Sequence, residues 1–204
     1  MPIQLFYFPL RGRAQSIRYL LLDNGLEYEE INVGPEWATK WKAETPFGQC
    51  PMIQDGDLKL AQSCAILRYL GRKAGIDPSD LVSAARVDMI NDHEEDIRNT
   101  YVKLIYQNYE TGKADFVKDA STKVKYLEDM FKAGGNEFIL SKISWADYQL
   151  FDLLDILCIL SPGFLDQSPS LKAFYDRIAA RPAIKAFRET ETNMKATVNG
   201  NGKQ

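Results

Sequence analysis

The sequence predicts a small α/β domain followed by an all-helical one. Three observations carry this expectation. Before Gly75, short apolar runs of strand length alternate with stretches at helical spacing. Gly75 to Asp80, GIDPSD, is a dense turn cluster. After it, every patterned segment has the helical period. The expected units are an α/β domain over 1–75, a linker over 76–80 and a helical domain over 81–204.

The elements follow in order. Residues 3–8 are aromatic and aliphatic and fit a buried strand, which Pro9 ends. Arg11-Gly12-Arg13 is a basic turn. Residues 14–23 set Ile17, Leu20 and Leu21 on one helical face, and Asn24-Gly25 is a C-cap pattern. Glu27 to Val33 reads as a second strand, broken by Gly34-Pro35, and 36–46 reads as irregular. Met52-Ile53-Gln54 and Leu58-Lys59-Leu60 pair as a hairpin, because Asp55-Gly56 suits a turn that needs positive φ. Ser63 is the expected N-cap of the next helix, which carries Ala65, Ile66 and Leu70. In the second domain, Leu81 to roughly Tyr109 is one long amphipathic segment, ended by Thr111-Gly112. A helix over 114–132 is closed by Gly134-Gly135. Ser144 and Asp147 form a capping box, with Ile143 and Tyr148 as a hydrophobic staple. The helix they start is apolar nearly all round, so it belongs at the centre of the domain. Pro169 to Ala180 and Ala183 to Arg188 are further helices, and the polar tail NGNGKQ reads as a surface loop.

Composition narrows the function classes. The chain has 204 residues, enough for one large domain or two modest ones, and 45% of them are hydrophobic, ample for a core. A net charge of −3 with both signs mixed leaves no basic footprint for nucleic acid. Three cysteines, Cys50, Cys64 and Cys158, are an odd count without zinc spacing, which points to a reducing compartment. No signal peptide is visible, and the apolar run Leu150 to Leu160 is too short to span a bilayer. A soluble cytoplasmic protein is expected.

Phe47 to Leu67 is the stretch around which the first domain is organised. Pro51 opens a strand, where its missing N–H does no harm. A cis bond there would turn the N–H and C=O of Cys50 outward. Such an edge suits a short extended peptide, and the helix start nearby suits a carboxylate. An ordinary hairpin and helix would show the same residues.

The order of these elements and their residues together resemble the cytosolic glutathione S-transferases, and among them the pi class. The resemblance rests on Tyr7-Phe8-Pro9 with Arg11-Gly12-Arg13, on Gly48-Gln49-Cys50-Pro51, on Asp55-Gly56-Asp57-Leu58, on Gln62-Ser63, on the Ser144 box and on the tail. It spans the whole chain. It implies a thioredoxin-like N-terminal domain with a cis Pro51 and an all-α C-terminal domain, the glutathione transferase fold. It also implies a homodimer and glutathione as cosubstrate, with no permanently bound cofactor and no metal. The expected activity is detoxification: conjugation of the glutathione thiolate to electrophilic, mostly hydrophobic compounds.

A free thiol has a pKa of about 8.5, so the enzyme must stabilise the thiolate. Tyr7 matches the catalytic tyrosine, whose hydroxyl would donate to the sulfur. Its alternative is a tyrosine packed on a buried strand. Arg13 would add positive field. Cys50, through its backbone, and Pro51 would hold the cysteinyl part. Gln62 and Ser63 would take the γ-glutamyl carboxylate, and Trp37, Lys42 and Gln49 the glycyl end, with Trp41 a rival to Trp37. Asp96 would reach the γ-glutamyl amine across the dimer, although it lies in an acidic run of the kind that usually faces water. Phe8, Leu10, Val102, Tyr106 and Gly200 would form the electrophile site.

Phe47 matches the aromatic key of the dimer, to be received by Met89, Ile90, His93, Tyr126 and Met130. His93 and Tyr126 stand where the family usually has smaller residues. Thr45 stands where the family has a reactive cysteine. A thiol at Cys50 could make the site oxidisable instead. A non-catalytic carrier or structural protein on the same fold is the competing reading.

Overall fold

The computed structural model describes residues 2–204. The first domain runs β1 (Ile3–Tyr7), α1 (Gln15–Asp23), β2 (Tyr28–Asn32), α2 (Lys42–Glu44), β3 (Met52–Asp55), β4 (Leu58–Ala61) and α3 (Ser63–Lys73). The second is helical: α4 (Leu81–Gln107), α5 (Tyr109–Gly134), α6 (Trp145–Leu160), α7 (Pro169–Ala179), α8 (Pro182–Arg188) and α9 (Glu191–Lys195).

The strands form one four-stranded sheet in the order β2-β1-β3-β4. β1 and β2 are parallel, and the other pairs are antiparallel. Leu5 sits between Glu30 of β2 and Ile53 of β3. Alternation along β1 sends Ile3 and Leu5 into the main core beneath α1 and α3, and sends Phe6 to a smaller cluster with Val33 and Met52. Trp37, Trp41, Phe8 and Cys50 cover that smaller cluster. The main core continues into the second domain through α6, whose residues are buried almost without exception.

A buried ion network ties the β1–α1 loop to the helical domain. Arg11 pairs with Asp155 and lies 3.6 Å from Asp152, while Arg98 bonds Asp152 at 2.8 Å and Arg188 reaches Asp155 at 3.0 Å. Burial opposes ionisation of Asp155, but Arg11 and Arg188 outweigh it and hold the carboxyl below the usual range.

The start of α6 follows the expected box. Ser144 N–H and its hydroxyl both donate to Asp147 Oδ2 at 2.7 Å, and Ile139 N–H donates to Oδ1 at 2.8 Å.

Several expectations need correction. Helix α3 begins at Ser63 itself, and Gln62 occupies the N-cap position with φ 72°. The stretch 36–46 is wound into short helical turns, including a π turn at Trp37–Trp41, because its tryptophans fold back on the sheet. The break between α4 and α5 falls at Asn108, so Thr111 and Gly112 lie inside α5. A short α9 precedes the tail, which was not foreseen. The tail is a surface loop as expected, but one pinned to the helical domain. Val198 and Asn199 are buried, Asn201 bonds the Ile105 carbonyl at 2.9 Å, and Tyr109 donates to the Gln204 carbonyl at 2.6 Å.

Candidate functional site

The end of β1 and the loop after it place Tyr7 at the junction of the two domains. Its hydroxyl accepts the backbone N–H of Arg13 at 3.0 Å. Gly12 has φ 42°, and a Cβ there would run into that hydroxyl, so only glycine allows the loop to turn this close. Burial pushes the Tyr7 pKa up and outweighs the Arg13 N–H, which pulls it down. The phenol therefore keeps its proton at neutral pH. One lone pair is engaged, and among the described residues no acceptor takes the proton. Tyr7 is thus a poised donor.

The Arg13 guanidinium does not stand free. It grips both oxygens of Glu95 at 3.0 and 2.8 Å and reaches Asn99 at 2.9 Å. Gln149 donates to Glu95 at 2.7 Å, and Ser16 donates to Gln149 at 2.9 Å. Arg13 was expected to lend positive field, but Glu95 offsets much of that charge. What Arg13 supplies directly is its backbone N–H. Sequence reasoning missed Glu95, Asn99 and Gln149, which lie on α4 and α6 far along the chain.

The peptide-edge residues come together in part. The Cys50–Pro51 bond is cis. Gln62 donates to Gln49 at 3.0 Å, so these two expected contacts share one surface. Ser63 is buried at the first turn of α3, where no side chain caps the free N–H groups. Trp37 packs edge-on to Phe8 at 5.4 Å, whereas Trp41 lies against buried Phe6 at 5.1 Å with Lys40 over its ring. Trp37 thus packs on Phe8 and Trp41 on Phe6, and both cover the cluster against which Cys50 lies. Lys42 and Asp96 are exposed. The Cys50 thiol packs into the aromatic cluster, and burial pushes it up to about 11. That environment works against the oxidisable thiolate considered from sequence.

The expected electrophile residues surround two neighbouring cavities. One of about 180 Å³ is lined by Tyr7, Leu10, Arg13, Val102 and Tyr106 together with buried Arg98, Tyr101 and Asn199. Gly200 abuts it: a Cβ there would meet the Tyr106 hydroxyl at 3.4 Å and Leu10 at 3.6 Å. The other, about 560 Å³, has Phe8 in its wall and extends past Arg18 and Glu30 towards α9. Phe8 thus faces the larger hollow, while the other residues frame the smaller one.

Phe47 is 79% exposed. On α4 and α5, Met89, Tyr126 and Met130 are also exposed, beside a cavity of about 340 Å³ lined by Met89, Ile90 and Met130. His93 and Tyr126 do not line it. Their rings meet edge-on at 6.3 Å, and His93 bonds the Lys123 carbonyl at 3.1 Å.

Comparisons with known proteins agree with this geometry. The family pattern described as "Glutathione S-transferase, N-terminal domain" matches residues 1–72, and that described as "Glutathione S-transferase, C-terminal domain" matches residues 95–191. The chain is 46% identical to glutathione S-transferase P of Bos taurus and of Homo sapiens over 208 residues, covering all of this chain and 99% of each relative. It is 39% identical to the Caenorhabditis elegans protein of that name, with full coverage of both. Among solved structures, the pi-class glutathione S-transferase of Onchocerca volvulus matches with a TM-score of 0.93 at 37% identity over both whole chains.

Proposed function

The chain belongs to the glutathione S-transferase family, and from that premise we propose how its residues perform the conjugation of glutathione to electrophiles. The observation that carries the reading is the Tyr7 hydroxyl, fixed as an acceptor by Arg13 N–H at 3.0 Å and left with a proton to give.

Bound glutathione loses its thiol proton to solvent, and Tyr7 donates a hydrogen bond to the sulfur anion. Lowering a thiol pKa by two units requires roughly 2.7 kcal/mol of differential stabilisation. A hydrogen bond to a charged group supplies about 1.5–3 kcal/mol, so one well-aimed hydroxyl suffices. Arg13 places that hydroxyl, and the Glu95–Gln149–Ser16 chain holds Arg13. The backbone of Cys50 beside Pro51 pairs with the cysteinyl unit. Gln62, Ser63 and the open turn of α3 take the γ-glutamyl carboxylate, and Trp37, Lys42 and Gln49 the glycyl end. Leu10, Val102, Tyr106, Phe8 and Gly200 form the wall for hydrophobic electrophiles.

The protein works as a cytoplasmic homodimer. Exposed Phe47 and the cavity between Met89, Ile90 and Met130 are its key and its lock, and Asp96 reaches the γ-glutamyl amine of the neighbouring subunit's glutathione. Sedimentation of Phe47→Ala tests the contact: the variant dissociates at concentrations where the wild type is dimeric.

Ultraviolet difference titration of bound glutathione tests the chemistry. The wild type ionises the thiol well below its free pKa, and Tyr7→Phe does not. Glutathione bound with an unshifted thiol would make the protein a carrier.

A further inference from the structure

Three tyrosines, Tyr7, Tyr101 and Tyr106, line the cavity of about 180 Å³, and their hydroxyls are all held in the same way. Tyr7 accepts from Arg13 N–H at 3.0 Å, Tyr106 from Gly200 N–H at 2.9 Å, and Tyr101 from the Asn199 side chain at 2.7 Å. For none of the three does an acceptor take the hydroxyl proton among the described residues. Other tyrosines of this chain do donate: Tyr69 to Asp55, Tyr148 to Asp23 and Tyr175 to Asp155. Tyr19, which accepts from Arg188 at 3.4 Å, lies outside this cavity, so the cavity gathers three such hydroxyls in one place.

Tyr101 is the deepest of them. It is 2% exposed, whereas Tyr106 is 53% exposed. Asn199, which orients the Tyr101 hydroxyl, lines the cavity as well, so the oxygen end of the phenol is at the cavity floor. Arg98 completes that floor. It is 4% exposed, and its Nε has no partner although its terminal nitrogen bonds Asp152. Leu10, Val102 and Val198 supply the apolar side. A purely hydrocarbon electrophile would leave a phenolic proton and a guanidinium nitrogen buried and unpaired. An oxygen that becomes negative during reaction would satisfy them.

We propose that Tyr101 is a further catalytic residue, donating from the cavity floor to the carbonyl oxygen of a small α,β-unsaturated ketone or aldehyde during its conjugation. This rests on the transferase reading given above. The thiolate, its proton already released to water, forms a carbon–sulfur bond at the β-carbon. The alkene π pair moves towards the carbonyl, and the negative charge settles on the oxygen as an enolate. Tyr101 hydrogen-bonds that enolate in a site shielded from water. A proton from solvent then adds to the α-carbon. The sum is thiol plus alkene giving thioether, with no oxidant or reductant. Burial pushes Tyr101 up to about 12, so it serves as a hydrogen-bond donor and not as a base.

The test uses the full-length enzyme and two electrophiles, but-3-en-2-one and benzyl chloride. Displacement of chloride develops no oxyanion, so the ratio of the two kcat/KM values isolates carbonyl activation. Tyr101→Phe lowers that ratio at least tenfold, and the titration of bound glutathione stays as in the wild type. A ratio unchanged, whether both rates fall together or neither moves, overturns the role and leaves Tyr101 as a tail anchor. Placing 3-fluorotyrosine at position 101 alone keeps the side chain's shape and makes the phenol more acidic. The ratio then shifts, and an unshifted ratio again overturns the proposal even if Tyr101→Phe folds poorly. Wild-type turnover of benzyl chloride and ionisation of the bound thiol test the transferase reading separately. If those fail, that reading falls, and the ratio is not what decides it.

Discussion

Helices α3 and α6 begin in opposite ways. At α6, Asp147 accepts from Ser144 N–H, the Ser144 hydroxyl and Ile139 N–H, all within 2.8 Å and all buried. At α3, Gln62 enters with φ 72°, no side chain caps the turn, and Ser63 lies at the opening. Both starts have the same orphan N–H groups and the same positive dipole end. One is closed by the chain itself and becomes a joint of the fold. The other is left without a side-chain acceptor, and the proposed function gives its donors to a ligand's carboxylate. A helix start that stabilises the protein and one that binds are told apart by who supplies the acceptor.

The strongest way to break this contrast is Asp147→Ala. It strands three buried donors, and each unmet donor costs about 1–3 kcal/mol. A loss of roughly 4 kcal/mol is expected, which lowers the thermal midpoint by about 10 °C for a chain of this size. Thermal unfolding followed by circular dichroism reads it. A loss below about 1 kcal/mol would mean that the box is not a joint.

Ser63→Ala is the counterpart. Stability should stay within about 1 kcal/mol, while calorimetry shows glutathione binding weakened roughly 10–100-fold, the worth of one charge-assisted hydrogen bond. If stability falls and affinity holds, the α3 start is structural as well, and the contrast collapses.

Glu94 sharpens the picture of the closed joint. It is fully buried, both carboxylate oxygens lack a partner, and Arg98, Asp147 and Glu95 are the charges near it. Burial raises its pKa well above the ordinary value, with Arg98 opposing and the two carboxylates adding to the shift. The folded state then holds a proton that the unfolded state releases, so this group's contribution declines as pH rises from about 4.5 through the folded value. Glu94→Leu removes that decline. The variant should gain about 1–2 kcal/mol over the wild type at pH 8 and less at pH 5, measured by urea unfolding. A gain that is the same at both pH values would show that Glu94 does not titrate in this range.

The box at Ser144 and the hairpin at Asp55-Gly56 were legible because each depends on a few neighbouring residues. The place of Tyr7 at the end of β1 was legible from the apolar run that Pro9 closes. The Arg13–Glu95 pair was not, since the partners are 82 residues apart and are brought together by the packing of α1 and α4 against α6. The acidic run from Asp92 to Asp96 looked uniform, yet the helical turn divides it into buried Glu94, paired Glu95 and exposed Asp96. Gly112 was read as a helix stop. It lies inside α5, where a Cβ would meet the Asn108 side chain at 2.6 Å, so it serves close packing and not a turn. The same residue type answers two needs that a local pattern does not separate.

The smallest expected effect concerns the strand edge that faces the open helix start. In the proposed binding mode the ligand meets the backbone of Cys50 there, while the side chain packs into the cluster of Trp37, Trp41 and Phe8. In that mode Ser63 would bind with a side chain as well as a helix end, so the two contacts should answer differently to truncation. Cys50→Ala keeps the backbone groups and should leave glutathione affinity within about twofold, or about 0.4 kcal/mol. In the wild type the Cys50 thiol, held up to about 11 by burial, should react with iodoacetamide far more slowly than a free cysteine at pH 8. A tenfold loss of affinity, or labelling at the rate of a free thiol, would place the Cys50 side chain in the site and make the edge a side-chain contact like Ser63.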